Sequence, residues 1–169
     1  MPRRFAAHAP PLLPCIATFA LAALLGAVAA RAADPIYPDV TRARTDIDAA
    51  LARAAASGKR VIVDFGGDWC GDCKVLDANF RKPENAALIA QRFVLVRVNV
   101  GEHGIDHNFD VAGRYGIPLR KGVPALAVLE RDGRVVYSQK NGEFESMRRM
   151  DPRSVNEFLR RWAGPARPR

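Results

Sequence analysis

Apolar residues recur along this chain with two different periods, and the changes between them outline its secondary structure. Ile47, Ala50, Leu51 and Ala54 recur at helical spacing, and Gly58 supplies a helix stop. The pattern therefore predicts a first helix that starts near residue 44 and ends near Gly58.

Four runs with strand character follow this helix. Residues 60–65 (RVIVDF) are rich in β-branched side chains and are apolar apart from Asp64, which is typical of a strand buried on both faces. Further strands are predicted at residues 95–100, 125–130 and 135–139. The turn at residues 131–133 (Arg-Asp-Gly) joins the last two strands as a hairpin.

The segment after the first strand changes to a helical pattern. Cys73, Leu76, Asp77 and Phe80 share one face of a helix that Pro83 is expected to end. Between this helix and the hairpin, short helices are predicted at residues 86–93 and 109–115, and a polar loop without periodicity at 101–108.

The last predicted helix follows residue 150. Asp151 is expected to cap it and Pro152 to occupy its first turn. Its apolar face would be formed by Val155, Phe158, Leu159 and Trp162. The order of all these elements predicts a single α/β domain with a central mixed β-sheet flanked by helices.

The N-terminus has the features of a secretory signal peptide. Arg3 and Arg4 precede an uncharged run at residues 15–30, and Ala30-Arg31-Ala32 is a small-x-small sequence suited to signal peptidase. We expect cleavage near Ala32 and a periplasmic or otherwise exported protein. An uncleaved anchor stays open as the alternative, although 16 residues are marginal for spanning a bilayer.

Four segments are therefore predicted. They are a signal peptide at residues 1–32, an extended lead-in at 33–43, the α/β domain at 44–163 and a Pro/Arg tail at 164–169. The 26 basic and 18 acidic residues give a net charge of +8, which falls to +5 when the signal leaves with three arginines. No nucleic-acid-binding motif accompanies this charge, so we expect a solvated basic surface and no nucleic-acid partner. We also expect a monomer.

Signal cleavage also removes Cys15 and leaves Cys70 and Cys73 as the only cysteines. Residues three apart on the first turn of a helix suit the Cα separation of a disulfide, which is roughly 4.4–6.8 Å. The loop that such a bond closes is too short to stabilise the fold much. The pair is therefore a poor staple, and it suits a bond that opens and closes.

The predicted position of the pair also favours redox chemistry. A thiol at a helix N-terminus faces unpaired N–H groups and the positive end of the helix dipole, which favour the thiolate. The thiolate is the form that attacks a disulfide. We therefore expect Cys70, nearer the helix start, to be the nucleophile and Cys73 to be the resolving thiol.

Metal binding is the competing interpretation. Cys70 and Cys73 with His103 and His107 would supply two sulfur and two nitrogen ligands. The 29 residues between Cys73 and His103 exceed the dozen or so that such zinc fingers use. A second set lies in the polar loop: His103 and His107 with Glu102, Asp106 and Asp110. An exposed acidic loop explains this set more simply, so we predict no metal and no cofactor beyond the Cys70–Cys73 disulfide.

Two segments together resemble a known family. They are VDFGGDWCGDCK and, about 50 residues later, YGIPLRKGVPALAVLERDGRVV. They resemble the thioredoxin superfamily, and are similar to its exported members, which include the C-terminal domain of the transmembrane electron transporter DsbD. The resemblance covers most of residues 44–163 and implies a thioredoxin fold and thiol–disulfide oxidoreductase activity.

The resemblance also implies roles for individual residues. Trp69 would flank and shield the cysteines, with Gly71, Asp72 and Lys74 as supporting residues of the motif. Asp64 matches a buried acid that accepts the proton of the resolving cysteine, and burial would raise its pKa towards neutrality. Asp64 as a cap for a nearby backbone group is the alternative. Val123-Pro124 matches a cis-proline turn whose Val123 backbone would pair with a bound substrate strand.

Four features depart from the family pattern. Gly66 stands where a bulky aromatic residue is usual, which predicts a more open site and a less desolvated Asp64. Gly71-Asp72 lies between the cysteines where thioredoxin has Gly-Pro. Residues 118–120 form an insertion, and the loop at 102–109 is longer than thioredoxin needs.

The direction of electron flow depends on how strongly the Cys70 thiolate is stabilised. Asp72 places a negative charge beside that sulfur, an effect on the order of 1 kcal/mol, which Lys74 and Lys59 would partly offset. This predicts a reductase of oxidised exported proteins, recharged by a membrane electron donor of the DsbD type. A disulfide oxidase or isomerase, a non-catalytic binding module or chaperone, and a metal carrier stay open as alternatives.

Overall fold

The computed structural model describes residues 34–164, which contain nine helices and strands. The helices are α1 (Ala43–Ser57), α2 (Gly71–Phe80), α3 (Pro83–Arg92), α4 (Phe109–Arg114) and α5 (Ser154–Trp162). The strands are β1 (Arg60–Gly66), β2 (Phe93–Asn99), β3 (Ala125–Leu129) and β4 (Val135–Ser138). Single 3-10 turns lie at Val40–Arg42, Leu119–Lys121 and Met147–Arg149. The predicted signal peptide and nearly all of the predicted tail lie outside the described residues.

The four strands form one mixed sheet in the order β2-β1-β3-β4. β1 is parallel to β2 and antiparallel to β3, and β3 is antiparallel to β4. β1 is thus an interior strand, and six of its seven residues are buried. The predicted mixed sheet flanked by helices is confirmed.

Side chains of the interior strands alternate between two cores. Val61, Val63 and Phe65 of β1 pack on one face with the small side chains of α1 and with α4. Ile62 lies in the other core, together with Leu76 of α2 and the apolar residues of α5. Because both faces of β1 are buried, its sequence from Val61 to Phe65 is apolar apart from Asp64. The sheet therefore fixes the C-terminal end of β1, where the cysteine motif follows.

Several predicted element boundaries are wrong. α3 begins at Pro83 itself, because proline is tolerated in the first helical turn and needs no N–H partner there. Phe93 begins β2 instead of ending α3, since its backbone is extended and its side chain is buried. Asp151 does not cap α5; its carboxylate accepts from the N–H of Arg153, and the helix starts at Ser154.

The lead-in also differs from the prediction. Helix begins at Ala43, directly after the 3-10 turn at Val40–Arg42, and Tyr37 is buried in a core cluster with only 2% of its surface exposed. None of the helices between residues 34 and 164 is long and apolar enough to cross a membrane.

Candidate active site

Cys70 and Cys73 lie on the first turn of α2 and form a disulfide, with Cα atoms 5.2 Å apart. Cys70 is the N-cap residue, with an extended backbone, and its sulfur accepts a hydrogen bond of 3.1 Å from the N–H of Cys73. That N–H is one of the groups that helical hydrogen bonding leaves unpaired at a helix start. The same interaction stabilises negative charge on the Cys70 sulfur when the disulfide is open.

The two cysteines differ in their exposure. Cys70 retains 6% of its surface, whereas Cys73 is completely buried. The Cys70 Sγ lies 3.6 Å from the carbonyl oxygen of Val123, at the edge of the loop before β3. Cys70 is therefore the more accessible cysteine of the pair.

The loop before β3 is held by a buried glutamine. The Val123–Pro124 peptide bond is cis. The side chain of Gln139, 1% exposed, donates to the carbonyl of Pro124 and accepts from the N–H of Leu126. Gln139 was expected to extend the last strand, but β4 ends at Ser138. Its side chain instead fixes the loop against Cys70.

Asp64 lies in the middle of β1 and has no exposed surface. Burial raises the pKa of its carboxyl to about 7, and the charge of Arg97 and the hydrogen bond from Tyr37 act in the opposite direction. Asp77 adds a smaller upward effect. The hydrogen-bond partner of Asp64 is the Tyr37 hydroxyl, which donates to Oδ2 over 3.0 Å. Asp64 therefore does not cap a backbone group, which was the alternative role for it.

The expectation of an open site at Gly66 is wrong. A Cβ atom on Gly66 would lie 2.6 Å from Cζ of Tyr37 and 2.9 Å from Sγ of Cys73. The ring of Tyr37, from the N-terminal segment, therefore occupies the space that a side chain on Gly66 would need. Asp64 is fully desolvated as a result.

Gly66→Ala is expected to lower the free energy of unfolding by about 1–3 kcal/mol, because the added methyl group overpacks the space between Tyr37 and Cys73. Gly113→Ala is the matched control, since a Cβ there meets nothing within 4 Å and alanine favours a helix. Denaturant unfolding of the oxidised variants measures the difference. Equal losses in the two variants would contradict the close packing at Gly66.

Asp72 has a different cationic partner from the one expected. Its carboxylate accepts from the backbone N–H, Nε and Nη2 of Arg148, at 2.9, 3.2 and 2.9 Å, and this pairing lowers its pKa. Lys59 lies before the start of β1, and its Nζ donates to the carbonyl of Ala90. Lys74 is exposed on α2. The compensating charge thus comes from Arg148, which sequence reasoning missed.

The remaining predicted residues surround this centre. Trp69 is 38% exposed, and its indole N–H donates to the carbonyl of Gly101 over 2.8 Å. Gly71, the first residue of α2, faces the guanidinium of Arg148. In the 101–108 loop, His107 Nδ1 pairs with Asp106 over 2.6 Å. Residues 34–164 contain no group of three or more His, Cys, Asp or Glu side chains that could hold a metal ion.

Four residues at the site were not predicted. Tyr37, Arg97, Arg148 and Gln139 reach it from elements far away in sequence. One feature of the sequence could have indicated Tyr37. It is an aromatic residue between two prolines, and the cysteine motif downstream has Gly66 where a bulky aromatic side chain is usual. No local pattern distinguishes Arg148 from its neighbour Arg149.

Comparison with known proteins agrees with this geometry. The profile of a family described as Thioredoxin-like matches residues 42–130. A solved structure of a disulphide isomerase from Xylella fastidiosa Temecula1 is 35% identical, with a TM-score of 0.71, over 77% of this chain and 98% of that one. The thiol:disulfide interchange protein DsbD of Pseudomonas fluorescens is 31% identical over 69% of this chain, and a protein disulfide-isomerase of Ricinus communis is 31% identical over 63%.

The four strands form a mixed sheet flanked by helices, and the disulfide-forming pair begins the helix that follows the buried strand β1. This arrangement is a thioredoxin fold. The chain belongs to the thioredoxin-like family. It spans about a fifth of the length of the DsbD and Ricinus relatives.

Proposed function

We propose that this protein is a thiol–disulfide oxidoreductase that reduces disulfides of extracytoplasmic proteins through a Cys70/Cys73 dithiol–disulfide cycle. One observation carries the proposal: Cys70 caps α2 with its sulfur on the N–H of Cys73, and it is the more exposed member of a pair that forms a disulfide. Membership of a family with disulfide isomerase and interchange relatives supports it.

In the first step the Cys70 thiolate attacks one sulfur of the substrate disulfide. A Cys70–substrate disulfide forms, the substrate S–S bond breaks, and the released thiolate takes a proton from water. The Val123 carbonyl, 3.6 Å from Cys70 Sγ, borders the space through which the substrate approaches. We propose that the Val123 backbone pairs with an extended substrate segment, as the family resemblance implies.

In the second step Cys73 resolves the mixed disulfide. Its thiol gives a proton to Asp64, whose pKa of about 7 makes it a usable base near neutral pH. The Cys73 thiolate then attacks Cys70 Sγ, the Cys70–Cys73 bond forms, and the second substrate thiolate leaves. Two electrons pass from the dithiol to the substrate, which ends as a dithiol.

The reductase direction rests on Asp72. Its lowered pKa keeps it ionised beside Cys70, which opposes the thiolate and so disfavours the reduced pair. Arg148 reduces this effect, but its guanidinium is largely exposed and therefore screened by solvent.

Substitutions of this ion pair are expected to move the reduction potential of the cysteine pair in opposite directions. Asp72→Asn removes the negative charge and raises the potential, whereas Arg148→Met leaves Asp72 unpaired and lowers it. The shift in Asp72→Asn is about 20 mV, the equivalent of about 1 kcal/mol, and the shift in Arg148→Met is smaller because solvent screens the exposed guanidinium. Arg153→Met is the control, because Arg153 forms an ion pair with Asp151 that does not include Asp72. Glutathione titrations measure the reduction potentials of all three variants. Shifts of the same sign in Asp72→Asn and Arg148→Met would contradict the assigned effect of the Asp72 charge.

The proposed location and partners follow from the N-terminal sequence and the relatives. Export after cleavage near Ala32 would place the protein among oxidised exported substrates, in a compartment that oxidises thiols. A reductase there needs recharging, for which we propose a membrane donor of the DsbD type. N-terminal sequencing of the protein from fractionated cells tests the location, and the expected first residue is Ala33.

Disulfide isomerisation is the second candidate, favoured by the 35% identity with the Xylella disulphide isomerase. Catalysed turnover of a disulfide-bonded protein such as insulin separates the possibilities. The dithiol form should accelerate insulin reduction by dithiothreitol. A rate of refolding of scrambled ribonuclease that exceeds the rate of insulin reduction would favour an isomerase. Binding of these proteins without turnover would favour a binding module.

A further inference from the structure

The N-terminal segment at residues 34–38 is tied to the active-site end of the sheet. The carboxylate of Asp68, in the turn before Cys70, accepts from the N–H groups of Ile36 and Tyr37 at 3.0 and 3.3 Å. Asn99, at the end of β2, donates its side-chain N–H to the carbonyl of Pro38 over 3.0 Å. We call residues 34–38 the arm. Its backbone is thus fixed on both sides of the residue that reaches inward.

Tyr37 carries the arm into the site. Its hydroxyl donates to Oδ2 of Asp64, whereas Oδ1 has no hydrogen-bond partner among the described residues. The same phenol and the Cys73 Sγ border one Cβ-sized space at Gly66. The phenol therefore contacts the proposed base and lies close to the sulfur whose proton that base accepts.

We propose that Tyr37 is a positioning residue for the resolving step: its hydroxyl orients Asp64 towards Cys73 and stabilises the ionised carboxylate. This inference rests on the proposed function of Asp64. The other charged groups that act on Asp64 are Arg97 of β2 and Asp77 of α2. The Cys73 Sγ of α2 borders the same space at Gly66 as the Tyr37 phenol. On β3, the residue paired with Asp64 is the apolar Leu126.

The electrostatics of the contact set the sign of the effect. Burial and the nearby Asp64 hold the pKa of Tyr37 well above its ordinary value of 10.0, so the phenol stays protonated and remains a donor throughout the range in which Asp64 titrates. Its hydrogen bond favours the ionised form of Asp64. Arg97 has the same effect, and Asp77 opposes it.

Tyr37→Phe removes the hydroxyl and keeps the ring that fills the space at Gly66. Carbon-13 NMR of the carboxyl of Asp64 in the oxidised full-length protein is expected to show its titration moved upward by about one pH unit, the equivalent of one charged hydrogen bond. Tyr115→Phe is the control, since Tyr115 is a half-buried tyrosine that does not contact Asp64. Asp68→Ala, which releases the arm, is expected to shift the titration in the same direction by a smaller amount.

The resolving step provides a second readout. Decay of a mixed disulfide preformed on Cys70 should slow about fivefold at pH 7 in Tyr37→Phe and recover above pH 8, because less Asp64 is ionised at neutral pH. Attack by Cys70 should keep its wild-type rate. A change in maximum rate without a shift in the pH profile would overturn the proposal and leave Tyr37 a packing residue.

The NMR titration needs no substrate, so it separates this inference from the proposed function. An unchanged Asp64 titration in Tyr37→Phe overturns the inference even if the protein reduces disulfides. A shifted titration supports the contact even if the protein is inactive, in which case the proposed function fails instead.

Discussion

Cys70→Ser is expected to reduce disulfide reductase activity to the uncatalysed background. The serine hydroxyl does not ionise near neutral pH, so no nucleophile remains at the helix start. Cys73 cannot replace it, because its sulfur is completely buried behind Cys70. The measurement is the rate of insulin reduction under identical dithiothreitol concentrations.

Cys73→Ser is the matched variant, with the same chemical change one helical turn away. It retains the attacking thiol but lacks the resolving one, so a Cys70–substrate disulfide should accumulate and be detectable by mass spectrometry. Equal residual activity in the two variants, or a trapped complex in Cys70→Ser, would contradict the assigned roles.

Asp64→Asn is expected to slow resolution of the mixed disulfide by about 10²–10⁴-fold at neutral pH, the usual contribution of a general base. Asparagine keeps the shape of the side chain and can still accept from Tyr37, so packing is conserved. The inflection near pH 7 in the resolving step should disappear. Quenched-flow measurement with a preformed mixed disulfide reports this step alone. A wild-type pH profile in Asp64→Asn would remove Asp64 from the mechanism.

The same substitution should change how stability depends on pH. Burial raises the pKa of Asp64 from 3.8 to about 7 in the folded protein, so the unfolded chain ionises first as pH rises. Stability of the oxidised protein should therefore fall between about pH 4 and 7, by on the order of 4 kcal/mol from this group. Asp64→Asn should lose this dependence and be the more stable protein above pH 7, as measured by denaturant unfolding. A wild-type dependence in the variant would mean that Asp64 does not carry the buried proton.

Local features of the sequence were enough to predict the core of the site. The nearly unbroken apolar run of β1, interrupted by one acid, is typical of a strand buried on both faces, and the motif that follows places Cys70 at a helix start. The order of helices and strands was likewise readable, since each element has its own apolar period. Boundaries failed at Pro83 and Phe93, where a proline opens a helix and a strand begins without an intervening turn.

Long-range partners were not readable in the same way. Tyr37 is 27 residues from Asp64, and Arg148 is 76 residues from Asp72. Neither contact is constrained by a helical or strand period, so only the tertiary fold brings the partners together. Inference from Gly66 alone gave the wrong environment for Asp64, because the missing side-chain volume is supplied from the arm.

The central claim is that Cys70 and Cys73 cycle reversibly between dithiol and disulfide, and a redox titration of the purified protein in glutathione buffers tests it most directly. We expect one reversible two-electron couple with a potential near that of thioredoxin, about −270 mV. A potential near that of the strong oxidants, about −120 mV, would contradict the reductase direction. The absence of any reversible couple would contradict the central claim itself.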